Sequence, residues 1–246
     1  MKIVDGVDVL ELASDRNGQT MIVNPTLIWD DTIAILADAG FPDQYQDLRV
    51  AMAKAGVPFS KLHKIILTHQ DLDHIGGVPE ILKNSDHKIE VLAHEGDKPY
   101  IEGDLPLLKM GGIMHRLESL PEDQRRQNMA LFTNLPKNKI DRTLADGEKL
   151  SDCGGITVIF TPGHTPGHIC LYLQRSKTLV AGDAMVVSEG QLLGPRPNAT
   201  PDMETAVRSL QKLIPYDVET VICYHGGVYR AHANQRIKEL AQGTGS

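Results

Sequence analysis

Cysteine is scarce in this 246-residue chain: Cys153, Cys170 and Cys223 are odd in number, far apart and without CxxC spacing. That pattern argues against a disulfide framework and a thiolate zinc site, and leaves three buried structural thiols as the reading. Long apolar runs are missing too, since no stretch approaches the roughly 20 residues needed to span a bilayer. The opening MKIVDGVDVLEL carries acids where a signal peptide would hold an uninterrupted apolar segment. A cytoplasmic protein without membrane association is expected. No basic stripe accompanies the net charge of -7, so an electrostatic grip on nucleic acid is not indicated. Neither a repeat nor a low-complexity linker interrupts the chain.

What is present is a composition 41% hydrophobic and 23% charged, enough to bury a sizeable core in one large α/β domain spanning 1–246. Strand-like runs occur at Val7–Leu12, Thr20–Asn24 and Thr32–Ala37, the last closing on Asp38-Ala39-Gly40. Asp43–Ala55 reads as a helix, followed by the apolar run KIILT and a short helix at VPEILKN. Further strands are expected at Lys88–Ala93, Thr157–Phe160, Ile169–Leu173, Thr178–Ala181 and Val218–Cys223, with helices at Met203–Leu213 and Ala231–Ala241. From about Gly96 to Arg142 no strand pattern appears. This helical insertion, with Leu105, Leu107, Leu108, Met110, Met114 and the run Glu122–Phe132, is either a cover over a pocket or an ordinary excursion packed on a sheet.

Polar crowding begins directly after Ile65-Ile66-Leu67, in THQDLDHIGG, which sets two histidines and two aspartates within six positions. A strand ending in a polar loop can aim alternate side chains one way, which suits His69, Asp71 and Asp73, with His74 pointing elsewhere. His69 and Asp71 could then serve one ion, and Asp73 and His74 a second. A helix N-terminus is expected at Ile75-Gly76, its partial positive charge offset by the carboxylates. Three more strands run into His or Asp with glycine alongside: His164 and His168 in TPGHTPGH, Asp183 in AGDAM, and His225 in CYHGG.

HxDxDH, PGHTPGH, GD and YHGG, in that order, resemble the metallo-β-lactamase superfamily over nearly the whole chain. The resemblance implies an α/β fold, an αββα sandwich of two mixed sheets flanked by helices, with two divalent metal ions at one edge. It implies His69, Asp71 and His164 on one ion, Asp73, His74 and His225 on the other, and Asp183 between them. Asp38 would support the ligand loop, and His168 would line the pocket or support a ligand rather than bind. Most members carry a histidine where this chain has Asp71. A carboxylate there makes the site more neutral and richer in oxygen, so iron and manganese compete with zinc, the first expectation.

The function implied is hydrolysis of an ester, thioester or lactone of small size by a metal-bridging hydroxide, with Asp73 managing the proton while ligating. Glyoxalase II-like thioesterases and lactonases are similar in two of the motifs, but neither pattern is complete. An iron-dependent oxidoreductase and a non-catalytic metal-binding member remain alternatives on the same ligands. Tyr224 and Tyr229 either polarise a carbonyl or pack, GPRPNATP reads as a pocket-edge loop, and a homodimer is compatible with the composition.

Overall fold

Strand alternation decides what each face buries. On Ala34–Ala37, Ile35 and Ala37 point to one side and Ala34 and Leu36 to the other, and all four are buried. Leu92 on Glu90–His94, Val180 on Thr178–Gly182 and Ile222 on Thr220–Cys223 face the same interior as Ile35, while their neighbours Val91, Leu179 and Val221 face outward layers. Strands apolar on both faces need cover on both, which two stacked sheets between helices supply.

The computed structural model describes residues 1–16, 19–118, 120–126, 135 and 137–243. One sheet has seven strands in the order Lys2–Val4, Val7–Val9, Thr26–Trp29, Ala34–Ala37, Leu62–Ile66, Glu90–His94, Arg142–Leu144, antiparallel at first and parallel from Ala34–Ala37 onward. The second has six, Lys149–Leu150, Ile156–Phe160, Ile169–Leu173, Thr178–Gly182, Thr220–Cys223, Gly227–Tyr229, with Thr178–Gly182 and Thr220–Cys223 parallel. Both sheets are mixed, and the αββα sandwich is the architecture observed.

Between the sheets lies one apolar layer, including Val9, Ile28, Ile66, Val158, Leu171 and Ile222. Each such fully buried side chain contributes about 1.5–3 kcal/mol. Outside the first sheet, Tyr45, Leu48 and Met52 of the helix Tyr45–Lys54 and Val78 and Ile81 of Val78–Lys83 close a second layer. Outside the second sheet, Leu210 of Met203–Leu210 and Ala233, Ile237 and Leu240 of Ala233–Ala241 close a third. All three cysteines are buried and free, as the sequence suggested.

Several short strands were not legible. Arg142–Leu144 and Lys149–Leu150 are too short to show a period. The hairpin Val186–Ser188/Gln191–Leu193 turns on Glu189 and Gly190, both at positive φ, the geometry that matches strand twist. Helix appears over 122–126, and the remainder of the expected run Glu122–Phe132 lies outside the described residues. Among the described residues no helix is long and apolar enough to cross a membrane.

Candidate metal centre

Four strands deliver their C-terminal ends to one edge between the sheets. Leu62–Ile66 leads into Thr68, His69 and Gln70, all buried, and Thr178–Gly182 and Thr220–Cys223 lead into Asp183 and His225. Ile156–Phe160 runs the same way as Thr178–Gly182, since Ile169–Leu173 is antiparallel to both, and leads into His164. The sheets meet here, where the Ile169 N–H donates to the Thr68 carbonyl at 3.0 Å.

The local geometry of the first loop differs from the expected alternation. The strand ends at Ile66, and a helical turn starts at Leu72, three residues before the position expected, with Asp71 extended at its N-cap. Asp73 and His74 therefore sit on helix, and Asp73, expected on the side of His69 and Asp71, falls instead in a group with the fully buried His74. Asp71 makes no cap hydrogen bond, which leaves its carboxylate directed at the site.

Two groups of possible ligands result: His69, Asp71, His164 and Asp183, and Asp73, His74 and His225. Within each group the donor atoms all lie within 4.8 Å of one another. Asp71 Oδ2 is 3.3 Å from His69 Nε2 and 3.2 Å from His164 Nε2. Asp73 Oδ2 is 3.2 Å from His225 Nε2 and 3.7 Å from His74 Nε2. Asp183 reaches both groups, with Oδ2 3.3 Å from His164 Nε2 and 3.5 Å from His225 Nε2, and Oδ1 3.6 Å from His74 Nε2. All seven residues singled out in the sequence are thus brought together.

Three of the four imidazoles in the cluster are tied at Nδ1, which leaves Nε2 facing it. His69 Nδ1 donates to Thr68 Oγ1 at 3.0 Å, His74 Nδ1 to Asp38 Oδ2 at 2.9 Å, and His164 Nδ1 to Thr200 Oγ1 at 3.3 Å. Such outer partners fix the tautomer and aim the ring. Burial and the neighbouring His74 hold His69 well below the usual imidazole range. Burial opposes protonation of His74 and His225 too, but for these carboxylates win: Asp38 and Asp73 hold His74 well above that range, and Asp183 and Asp73 raise His225 to about 9. His69 Nε2, His74 Nε2 and Asp183 Oδ1 are buried without a hydrogen-bond partner. Leaving such groups unsatisfied costs about 1–3 kcal/mol each, which a bound cation would offset.

His168 spends both nitrogens elsewhere. Nε2 accepts from the Asp183 N–H at 3.1 Å and Nδ1 donates to Thr161 Oγ1 at 2.9 Å. Burial pushes it down to about 3, so it is a neutral strut for Asp183. Gly182 makes room for it: φ is +52°, and a Cβ there would lie 2.8 Å from His168 Nε2 and 3.0 Å from Thr68 Oγ1. Tyr224 is buried with its ring on His74, centroids 3.7 Å apart, and its hydroxyl donates to the Asp73 carbonyl. Tyr229 packs against the third apolar layer. Asn24, near the start of the chain, donates to the Tyr224 carbonyl through its N–H at 3.0 Å and its side chain at 2.9 Å.

Three residues at the centre escaped the sequence reading. Asp97, fully buried, accepts from the Gln70 N–H at 2.9 Å, Gln70 Nε2 at 3.1 Å, Thr165 Oγ1 at 2.6 Å and the Gly167 N–H at 2.7 Å, which ties the 69–74 loop to the 164–168 loop. It had a signal, since HEGD after Glu90–His94 repeats the pattern of a strand running into Asp beside glycine. Lys109 and Arg196 had none. Lys109 Nζ donates to Asp71 Oδ2 at 2.5 Å and to His164 Nε2 at 2.6 Å. Arg196 Nη2 donates to Asp183 Oδ2 at 3.3 Å.

A two-sheet sandwich carrying this cluster at its edge belongs to the metallo-beta-lactamase superfamily, whose family model matches residues 18–225. The chain is 32% identical over 217 residues to the probable metallo-hydrolase YflN of Bacillus subtilis (strain 168), covering 78% of this chain and 75% of that one. It is 28% identical over 213 residues to the hydroxyacylglutathione hydrolase GloC of Haemophilus influenzae, covering 84% and 86%. The metallo-beta-lactamase family protein TTHA1429 from Thermus thermophilus shares the fold at a TM-score of 0.69 and 25% identity, covering 98% of this chain and 79% of that one.

Proposed function

We propose that the protein is a two-metal hydrolase of a small ester, thioester or lactone, with zinc the first candidate and iron or manganese competing because of Asp71. One observation carries this reading: Asp183 faces both ligand groups, with one oxygen within 3.6 Å of His74 and the other within 3.5 Å of His164 and His225. The residues fit such ions. Their orphaned atoms, His69 Nε2, His74 Nε2 and Asp183 Oδ1, converge on one place, and four imidazoles with three carboxylates form a nitrogen and oxygen donor set suited to all three metals. His69, Asp71 and His164 would hold one ion, Asp73, His74 and His225 the other, and Asp183 would be shared.

Bound ions would supply Lewis acidity for a carbonyl and lower the pKa of water. The protein's own groups would do the rest. Asp73 would take a proton as an ionised carboxylate: burial pushes its carboxyl up, but His74 and His225 outweigh that and hold it below the ordinary range. Asp38, Thr68 and Thr200 orient the imidazoles, and His168 holds the Asp183 backbone. The 96–142 insertion acts as a cover in this reading, because the Leu108 N–H donates to Gln70 Oε1 at 2.9 Å and Lys109 reaches Asp71. Hydroxyacylglutathione, named for one relative, is a thioester, which supports thioesters as the first class to assay.

The test is metal analysis of protein produced with iron, manganese and zinc supplied together, paired with a panel of small esters, thioesters and lactones. Two ions per chain and turnover of at least one substrate are expected, both impaired in Asp183→Ala. One ion or none, or an Asp183→Ala variant with undiminished activity, overturns the reading.

A further inference from the structure

Lys109 and Arg196 reach the cluster from separate segments, one from the 96–142 insertion and one from the loop after the Gln191–Leu193 strand. Both rest on atoms that an ion would need. Lys109 donates to Asp71 Oδ2 and to His164 Nε2, and an imidazole nitrogen has one lone pair to give. Arg196 donates to Asp183 Oδ2, the oxygen that faces His164 and His225. An ion held by these atoms must take them from the two cations. Each displaced head stays within a side chain's length of the site, Lys109 mostly buried and Arg196 about half exposed. Lys109 lines a cavity of about 450 Å³ together with Leu108, Gly112 and the segment 197–201, which Arg196 immediately precedes.

From this juxtaposition we infer that Lys109 and Arg196 form an anion-recognition pair, and that the substrate carries a carboxylate close to its scissile carbonyl. The inference rests on the hydrolase reading for the word substrate, but its physical basis is separate. Once their partners are taken, two like charges are left beside divalent cations at the same rim, an arrangement disfavoured unless an anion enters between them. The walls suit a small acid. Pro197 to Pro201 offer only the neutral donors Asn198 and Thr200, so the charged anion contacts would come from the lysine and the arginine. Their roles differ by geometry: Lys109 is a compact point charge, whereas the Arg196 guanidinium presents a fork that matches a carboxylate. These are specificity-determining residues, distinct from those that hold metal.

The experiment uses the full chain loaded with zinc and two matched thioesters, S-succinyl- and S-butyryl-N-acetylcysteamine, which differ in a terminal carboxylate. Wild-type protein is expected to prefer the succinyl thioester in kcat/KM by at least about tenfold, and the preference to fall by a similar factor in Lys109→Met and in Arg196→Met. Lys109→Arg is expected to retain most of it, and added salt to erode it in the wild type. Binding of succinamate and of neutral succinamide, followed by calorimetry on the same zinc-loaded proteins, gives a readout independent of turnover. Succinamate should bind the wild type more tightly than either methionine variant, and succinamide should not discriminate. Equal kcat/KM for the two thioesters, or a preference unchanged in both methionine variants, overturns the inference while leaving a hydrolase. Failure to hydrolyse any of the esters, thioesters and lactones of the panel, with succinamate binding still dependent on Lys109 and Arg196, removes the hydrolase reading and sustains the anion pair.

Discussion

Asp38 Oδ2 lies 2.9 Å from His74 Nδ1, and the same carboxylate accepts from the Thr68 N–H and hydroxyl at 2.8 Å each. One side chain thereby positions two others, His74 directly and His69 through Thr68. Asp38 does so from the left-handed region, φ 63°, which aspartate and asparagine tolerate better than other residues with a Cβ.

Asp38→Ala should therefore weaken binding of the ion at Asp73, His74 and His225 by about 10–100-fold, the usual effect of losing an outer partner. Asp38→Asn, which keeps the backbone preference and one acceptor, should recover part of that loss. Competition with a chelator checks both, and equal affinities in all three proteins would contradict the role.

Ion binding should release protons. His225 is raised to about 9 and His74 is also raised, so both carry protons near neutrality that an ion must displace. Zinc affinity should climb as pH rises towards about 9 and then flatten. A raised imidazole contributes stability that is fully present below its unfolded pKa and lost as pH rises through the folded value. The metal-free protein should thus lose thermal stability as pH passes through about 9, whereas the zinc-loaded protein should not show that loss. Calorimetry in buffers of different ionisation enthalpy counts the protons.

Removing Lys109 should have opposite effects on stability and metal affinity. Lys109→Met deletes the cation that competes for Asp71 and His164, so affinity for the ion at that group should rise by roughly tenfold, while the metal-free fold loses only about 1 kcal/mol, because His69 and His164 still face the Asp71 carboxylate. Denaturation with and without zinc separates the two effects.

Asp97→Ala strands four donors: the N–H and Nε2 of Gln70, the Thr165 hydroxyl and the Gly167 N–H. Each buried donor left without a partner costs about 1–3 kcal/mol, so urea denaturation should show a loss of several kcal/mol. A loss below about 1 kcal/mol would mean that water replaces the carboxylate without penalty.

Gly182→Ala should be similarly damaging, because its Cβ would press on His168 Nε2 and Thr68 Oγ1 at once. The change should destabilise by about 1–3 kcal/mol and lower metal content together, since His168 could no longer support the Asp183 N–H.

His69, Asp71, Asp73, His74, His164, Asp183 and His225 were legible because ion chemistry demands particular side chains, and four strands running into His or Asp beside glycine have no common packing explanation. Strands such as Ile169–Leu173 were legible because apolar residues run unbroken where both faces are covered. The helical turn at Leu72 was misplaced by three residues because nothing local marks it: Asp71 occupies the cap position without making the cap bond. Thr26–Trp29 was hidden by Pro25, read as punctuation although proline is tolerated at a strand's entrance. Lys109 and Arg196 could not be found at all, because a cation's partner is set by how an insertion folds back, and sequence distance to Asp71 or Asp183 holds no trace of it.

Asn24 and Tyr224, two hundred positions apart along the chain, are joined by two hydrogen bonds to one carbonyl, immediately before His225. The second ligand group is thus braced twice by the first fifth of this sequence, at His225 through Asn24 and Tyr224 and at His74 through Asp38, although that segment contributes none of its candidate ligands. A chain still emerging from the ribosome cannot hold an ion there until its two extremities have met. Retention of metal by this protein would accordingly serve as a certificate of completed folding, and partial proteolysis at either extremity should release the ion before the sheets come apart.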